Sequence, residues 1–150
     1  MKKHSFLSEL GTITLYSENN KIVKIILDSD KYYNDLADKA ISIAKKQIIE
    51  YLAGKRKDFD FPYKITGTDF FKSVLTAMKK IPYSETFSYS KLAEKSGHKN
   101  AIRACGTVCK NNPLPLIFPC HRVIRKNGDI GEFNGGIALK KFLLDLERKF

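Results

Sequence analysis

Cys120 and His121 stand side by side in the run NNPLPLIFPCHRVI, residues 111–124, where Pro113, Pro115 and Pro119 each fix φ and remove a backbone donor. A segment stiffened in this way presents a side chain from a rigid loop more readily than it joins the middle of a sheet. A thiol becomes a nucleophile when it is partly accessible and a nearby base or cation favours its thiolate. Cys120 has that company, because His121, Arg122 and Arg125 follow closely. Two other roles stay open. The thiol can be buried filler, since free cysteine packs as a small hydrophobe and neighbours in an extended chain point to opposite faces, which would turn His121 away. It can also ligate a metal with Cys105, Cys109 and His121, although structural zinc usually draws on separate short knuckles rather than on an i, i+4 pair of one helix. No serine elbow and no glycine-rich loop followed by Lys-Ser/Thr occurs, which excludes the common serine-hydrolase and nucleotide-loop patterns.

These residues lie in the more basic part of the chain. The formal charge is +11, with residues 1–66 at net +3 and residues 67–150 at net +8. Such a field favours a polyanion, nucleic acid before anionic lipid. The 150 residues contain three cysteines, an odd number, no apolar leader, and no run near the roughly 20 apolar residues that a membrane span needs. The expectation is a soluble monomer of a reducing compartment, cytoplasmic or, in a eukaryote, nuclear, with no membrane partner and no cofactor or metal.

The elements that must position the thiol are legible from periodicity, and the fold class they imply is α+β. Ser5–Tyr16 and Lys21–Leu27 read as an antiparallel hairpin around SENN, and Tyr33–Leu52 as a helix with Leu36, Ala40, Ile43, Ala44, Ile48 and Leu52 on one stripe. Residues 54–68 lack a sustained period and connect two expected domains, 1–62 and 63–150. From Asp69 the period is helical again through Phe71, Val74, Leu75 and Met78, ending before Pro82. Ser88 is placed to cap a short helix that Gly97 stops, and a second helix follows over about 100–110, a helix-turn-helix candidate. At about 100° per residue its Ala101, Ala104, Cys105 and Val108 share one face, with Lys99, Arg103, Thr107 and Lys110 opposite. That is the pattern of a helix lying on a nucleic-acid backbone, and also of an ordinary amphipathic helix with solvated lysines. CHRVI reads as a short strand, Asn127–Gly128 as a type I′ turn, and 137–148 as a helix that is apolar through Leu139, Phe142, Leu143 and Leu146, with Lys140, Leu144 and Glu147 along a flank.

GTDFFKSVLTAMKKIPYSETFSYSKLAEKSG, NAIRACG, NNPLPLIFPCHRVI, GEFNGG and ALKKFLLDLE follow one another in an order and spacing that resembles the O6-alkylguanine-DNA alkyltransferases, the methylated-DNA–protein-cysteine methyltransferases. The resemblance covers about residues 50 to 148 closely. It implies a small ribonuclease-H-like N-terminal α+β domain, then a helical, winged helix-turn-helix-type domain that binds the minor groove of double-stranded DNA. It also implies the function: O6-alkylguanine is flipped out and its alkyl group is transferred irreversibly to the protein, with O4-alkylthymine as a second candidate substrate. Carried over by position, Cys120 is the acceptor, His121 its base through a water, Glu147 the group that orients His121, Asn112 the brace of the loop and Tyr89 the proton donor to guanine. Arg103 would fill the gap in the base stack, with Ala104, Thr107, Lys110, Tyr89 and Arg122 at the DNA. Val123, Asn134, Lys140, Phe133 and Cys109 would line the base pocket. Phe133–Asn134 stand where relatives commonly carry an aromatic-glycine or Tyr-Ser pair, and Cys105 and Cys109 where hydrocarbon side chains are usual. The rival reading is an alkyltransferase-like protein that binds the lesion without repairing it.

Overall fold

The run expected as one strand from Ser5 to Tyr16 breaks at Gly11, whose φ of +77° and approach to the Asp28 carboxylate leave no room for a side chain. Three strands result in place of a hairpin: β1 (Lys2–Ser8), β2 (Gly11–Glu18) and β3 (Lys21–Ile26), an antiparallel meander in sequence order. Asn19 and Asn20, at φ +50° and +62°, make the tight turn expected at SENN. Phe6, Ile13, Leu15, Ile22 and Ile25 are buried. The helix α1 (Lys39–Leu52) packs on β2 and β3, burying Ala40, Ile41, Ala44, Ile48 and Tyr51. It begins later than the apolar spacing suggests, and Leu36 is exposed. Capping decides the start: one Asp38 oxygen accepts from Ile41 N–H at 2.8 Å and the other from Ser17 Oγ at 2.5 Å.

The computed structural model describes residues 1–150 except Glu132 and Asn134, and it divides the chain into two units, Met1–Ile65 and Thr66–Phe150. In the second, Thr68 caps α2 (Asp69–Lys79), which buries Val74, Leu75, Ala77 and Met78. The short strand β4 (Phe87–Ser88) leads into α3 (Tyr89–Lys95), where Ser88 Oγ accepts from Lys91 N–H at 3.1 Å, and Gly97 turns the chain at φ +85° into α4 (Ile102–Lys110). Helices α3 and α4 are the helix-turn-helix, both against α2. The buried face of α4 is Cys105, Val108 and Cys109, and Ala104 is exposed on the basic side.

After the proline loop, Cys120–Arg122 forms a single 3-10 turn instead of the expected strand. The two-residue strand β5 (Val123–Ile124) pairs in parallel with β4, Phe87 opposite Val123 and Ser88 opposite Ile124. The turn that follows is closed by Gly128 N–H to Arg125 O at 2.9 Å. Only its glycine has positive φ, so it is not type I′. The last helix, α5 (Ile137–Lys149), buries Lys140, Leu143, Leu144 and Glu147 and leaves Phe142 exposed. The flank with two charged residues faces inward together with Leu143, while Leu139 and Leu146 of the more apolar stripe are half-buried. Among the described residues no helix is long and apolar enough to cross a membrane.

Asp38→Ala removes both bonds that start α1. The expected loss is about 1 kcal/mol in urea unfolding, typical of a lost N-cap, and an unchanged stability would contradict this start of the helix.

Candidate active site and nucleic-acid interface

The 3-10 turn resolves the neighbouring-face problem for Cys120 and His121. At about three residues per turn, successive side chains diverge by roughly 120° rather than 180°, so His121 no longer points directly away from Cys120, and all three side chains are buried because the turn itself is enclosed. Cys120, His121 and Arg122 are in fact buried together, at 4%, 1% and 6% exposure. The turn is held at both ends, since Cys120 N–H donates to Phe118 O at 2.8 Å and Arg122 N–H to Pro119 O at 2.9 Å.

Opposite it, Glu147 brings a carboxylate into the interior. Such a charge persists only if donors replace its water. Oε1 accepts from Arg122 Nε at 2.8 Å and from Ser84 N–H at 2.9 Å, while Oε2 takes Arg122 Nη2 at 3.0 Å and His121 Nε2 at 2.6 Å. Arg122 Nη1 is anchored on Ile81 O at 2.8 Å. Burial alone would raise the Glu147 pKa, but the hydrogen bonds and charges of His121 and Arg122 hold it far below the usual carboxylate range. His121 moves down as well: burial lowers it, and Arg122 and Lys140 oppose the pull of Glu147. Burial is the largest of these effects, and with Arg122 sharing the carboxylate charge the imidazole stays neutral. An ionised Glu147 only accepts, so Nε2 carries the hydrogen and Nδ1 keeps its lone pair. Nδ1 is buried with no hydrogen-bond partner among the described residues.

The Arg122 reading needs correction. Expected at the DNA, this guanidinium is buried in a forked pair with Glu147, and its other bond is to main chain. A fork of fixed geometry suits a buried carboxylate, and the fit leaves no head group for a partner.

The thiol sits at the end of a loop that Asn112 ties together. The Asn112 amide donates to Phe118 O at 2.7 Å, and its oxygen accepts from Leu114 N–H at 3.0 Å. Between these points Leu116 is held at φ +80°, a left-handed conformation that costs a leucine about 1–2 kcal/mol. Burial pushes the Cys120 thiol up to about 11, against the Asn112 side chain, the Lys140 charge and the main-chain N–H groups of Cys120 and His121. Lys140, also buried, donates to Val123 O at 2.6 Å. Burial brings it down to about 8, with Cys120 and Cys109 pulling the other way. Cys109 is raised by burial first and by Cys120 second. All three cysteines are free, and among the described residues no group of three His, Cys, Asp or Glu converges as metal ligands would.

Cys109 also lines a groove of about 790 Å³, and Cys120 is not among its described lining residues. Helix α4 contributes Arg103, Gly106, Thr107, Cys109 and Lys110, and Tyr89 and Arg125 come from outside it. The Tyr89 ring is fitted between two glycines. A Cβ on Gly131 would lie 3.0 Å from Tyr89 Oη and one on Gly106 3.9 Å from the ring, while Lys140 Nζ stands 5.8 Å from the ring centre. Residues expected at the DNA, Arg103, Thr107, Lys110 and Tyr89, thus share one groove, with the expected pocket residue Cys109 among them. Ala104 is exposed beside a second, smaller groove bounded by Phe70 and Phe71. Val123 and Lys140 meet beneath Tyr89, and Phe133 lies half-buried in the loop before α5, where its carbonyl accepts from Gly136 N–H at 2.9 Å. Asn134 lies outside the described residues. Sequence reasoning missed Ser84, and it named Arg125 only as a charge near the thiol, not as a residue of the groove. The first acts through its main chain and leaves no trace in residue type, whereas the second could have been found by extending the pairing of β4 and β5 by one residue.

A family model described as 6-O-methylguanine DNA methyltransferase, DNA binding domain, matches residues 69–149, and one described as the ribonuclease-like domain of the same protein matches residues 1–65. The constitutive methylated-DNA–protein-cysteine methyltransferase of Bacillus subtilis is 35% identical over 149 residues, covering 93% of this chain and 90% of its own. That of Methanosarcina acetivorans is 44% identical over 104 residues, 69% of this chain and 67% of its own. Among solved structures, Mycobacterium tuberculosis OGT in complex with DNA superposes with a TM-score of 0.88 at 34% identity, covering 98% of this chain and 93% of that one. An O6-methylguanine DNA methyltransferase from Methanococcus jannaschii gives a TM-score of 0.70 at 28% identity, covering 96% and 92%.

The charge network has a signature in acid. His121 and Glu147 both titrate below their usual values, near 6.5 and 4.3, so each binds fewer protons folded than unfolded. Their contributions are present above those values and are lost as pH falls. The urea midpoint is expected to hold between about pH 8 and 7, fall below about 6.5 and steepen below about 4.5. In His121→Gln the first fall should vanish, and a midpoint flat from pH 7 to 5 in the wild type would contradict a neutral His121.

Proposed function

The chain belongs to the methylated-DNA–protein-cysteine methyltransferase family, and on that premise we propose that it repairs O6-alkylguanine in duplex DNA by moving the alkyl group irreversibly onto Cys120. One observation carries this reading: His121, adjacent to Cys120, gives Nε2 to Glu147 at 2.6 Å and keeps an unpartnered, buried Nδ1. That is a neutral base with its lone pair available, and it stands in the same turn as the thiol.

The chemistry follows from those parts. Nδ1 takes the Cys120 proton through a bridging water, and the resulting imidazolium is stabilised by Glu147. The thiol pKa near 11 means that the nucleophile is generated at the moment of reaction rather than stored. The thiolate attacks the saturated alkyl carbon in line with the C–O6 bond. The S–C bond forms as the C–O bond breaks, its electron pair passing to the guanine, and Tyr89 Oη supplies the proton that relieves the developing negative charge. Guanine departs intact and the thioether remains, so one molecule performs one turnover.

Recognition falls to the unit that begins at Thr66. Helix α4 lies on the DNA with Ala104, Thr107 and Lys110 toward the backbone, and Arg103 holds open the gap left by the extruded nucleotide. Extrusion costs a few kcal/mol, least for a damaged and poorly paired base, and this supplies part of the selectivity. The main-chain carbonyls of Cys120 and Val123, each keeping a second lone pair beyond its bond to Val123 N–H or Lys140, read the guanine edge, Lys140 and Phe133 bound the pocket, and Asn112 keeps the acceptor loop in shape. The working compartment is one that keeps thiols reduced, the cytoplasm in a bacterium-like host.

The rival, a lesion-binding protein whose thiol never reacts, has one observation on its side, the raised thiol pKa. Duplex DNA with a labelled methyl on O6 of guanine separates the two. The expected outcome is one label per molecule, bound to protein and absent in Cys120→Ala. Label retained by Cys120→Ala, or wild-type transfer at background, would overturn the proposal.

A further inference from the structure

Arg125 is the groove cation that the reading above leaves unused. Its position follows from the small parallel sheet: Ser88 pairs with Ile124, and from there Tyr89 opens α3 while Arg125 leaves β5 at the same end. Both side chains approach Gly131, whose Cβ would lie 3.0 Å from Tyr89 Oη. The Arg125 main chain is fixed on both sides, its N–H donating to Asp129 O at 2.8 Å and its carbonyl accepting from Gly128 N–H at 2.9 Å. The stem runs beside Gly131, where a Cβ would lie 3.6 Å from Arg125 Cγ, and the residue is exposed and lines the groove.

Charge narrows what such a group can hold. Arg103, Lys110 and Arg125 surround the groove, and no carboxylate is among its described lining residues, so the site is complementary to an anion. Arg103 and Lys110 belong to α4 and follow the helix along the duplex. Arg125 stands apart from them, next to the tyrosine that the proposed reaction places against the extruded guanine. A nucleotide whose base touches Tyr89 carries its own phosphates within reach of an arginine one strand away. The planar guanidinium fork matches a phosphate in two bonds.

We propose that Arg125 grips a phosphate flanking the extruded nucleotide and so positions the damaged base over Cys120; the assignment rests on the dealkylation reading above. It is a positioning residue, distinct from Arg103, whose task lies in the vacated stack.

The test compares single-turnover alkylation of wild type and Arg125→Gln by duplex DNA containing O6-methylguanine and by free O6-benzylguanine, which has no phosphate. The variant should lose about tenfold more on DNA than on the free base, the scale of one lost charge-assisted contact. Neutral methylphosphonates at the two phosphates flanking the lesion should slow the wild type toward the variant and slow the variant little further. Equal losses of the variant on DNA and free base, or equal slowing of both proteins by the methylphosphonates, would overturn the assignment. A wild type that fails with both substrates would instead sink the dealkylation reading.

Discussion

A carboxylate removed from water must be matched by donors, and Glu147, 2% exposed, accepts from four of them among the described residues. Much of the second unit is arranged by that demand. The Arg122 fork and the His121 ring reach one carboxylate together only because the 3-10 turn rotates successive side chains by about a third of a circle. Glu147 reaches them only because α5 turns its Lys140, Leu143, Leu144, Glu147 stripe inward. The main chain at Ser84, at φ +63°, supplies the fourth donor. Removing one partner of such a buried cluster typically costs about 3–5 kcal/mol, because the others are left uncompensated.

The same constraint sets the chemistry. Burial disfavours the cation and Arg122 shares the Glu147 charge, so the carboxylate orients His121 without holding it as a cation. The ring is left neutral, with a lone pair at Nδ1 and a partner able to stabilise the charge that arrives with a proton. Cys120 enters from the other direction, at the end of a loop whose strain at Leu116 is held by the two Asn112 bonds and by burial. Lys140 joins the two halves, fixed to Val123 and close to both thiols. Cys120, His121 and Arg122 are thus placed by one packed polar core rather than as separate grafts.

Much of this was legible in the residues, and the failures have physical causes. Ser88 and Gly97 announced the limits of α3 because capping and left-handed stops are local chemistry. Cys120, His121, Glu147 and Asn112 were identified by order and spacing, a resemblance rather than a calculation. Three of the readings that the structure overturns show why. Gly11 splits a β-rich run because of a contact with Asp28, far along the chain and invisible to periodicity. The inward face of α5 carries lysine and glutamate beside Leu143 and Leu144, so an apolar-stripe rule found Leu143 but put the centre of the face too far toward Phe142; buried charges pair only across tertiary structure. Arg122 was taken for a surface cation for the same reason, and Arg125, three residues on, stands in the groove.

The state of the His121 ring tests the account most directly, because Glu147, Arg122 and the neutral base all meet there. Nitrogen-15 shifts of that imidazole at neutral pH are expected to show hydrogen on Nε2 and a bare Nδ1, and this form should persist below the usual histidine pKa of about 6.5. An imidazolium at neutral pH, or a neutral ring with hydrogen on Nδ1, would contradict it.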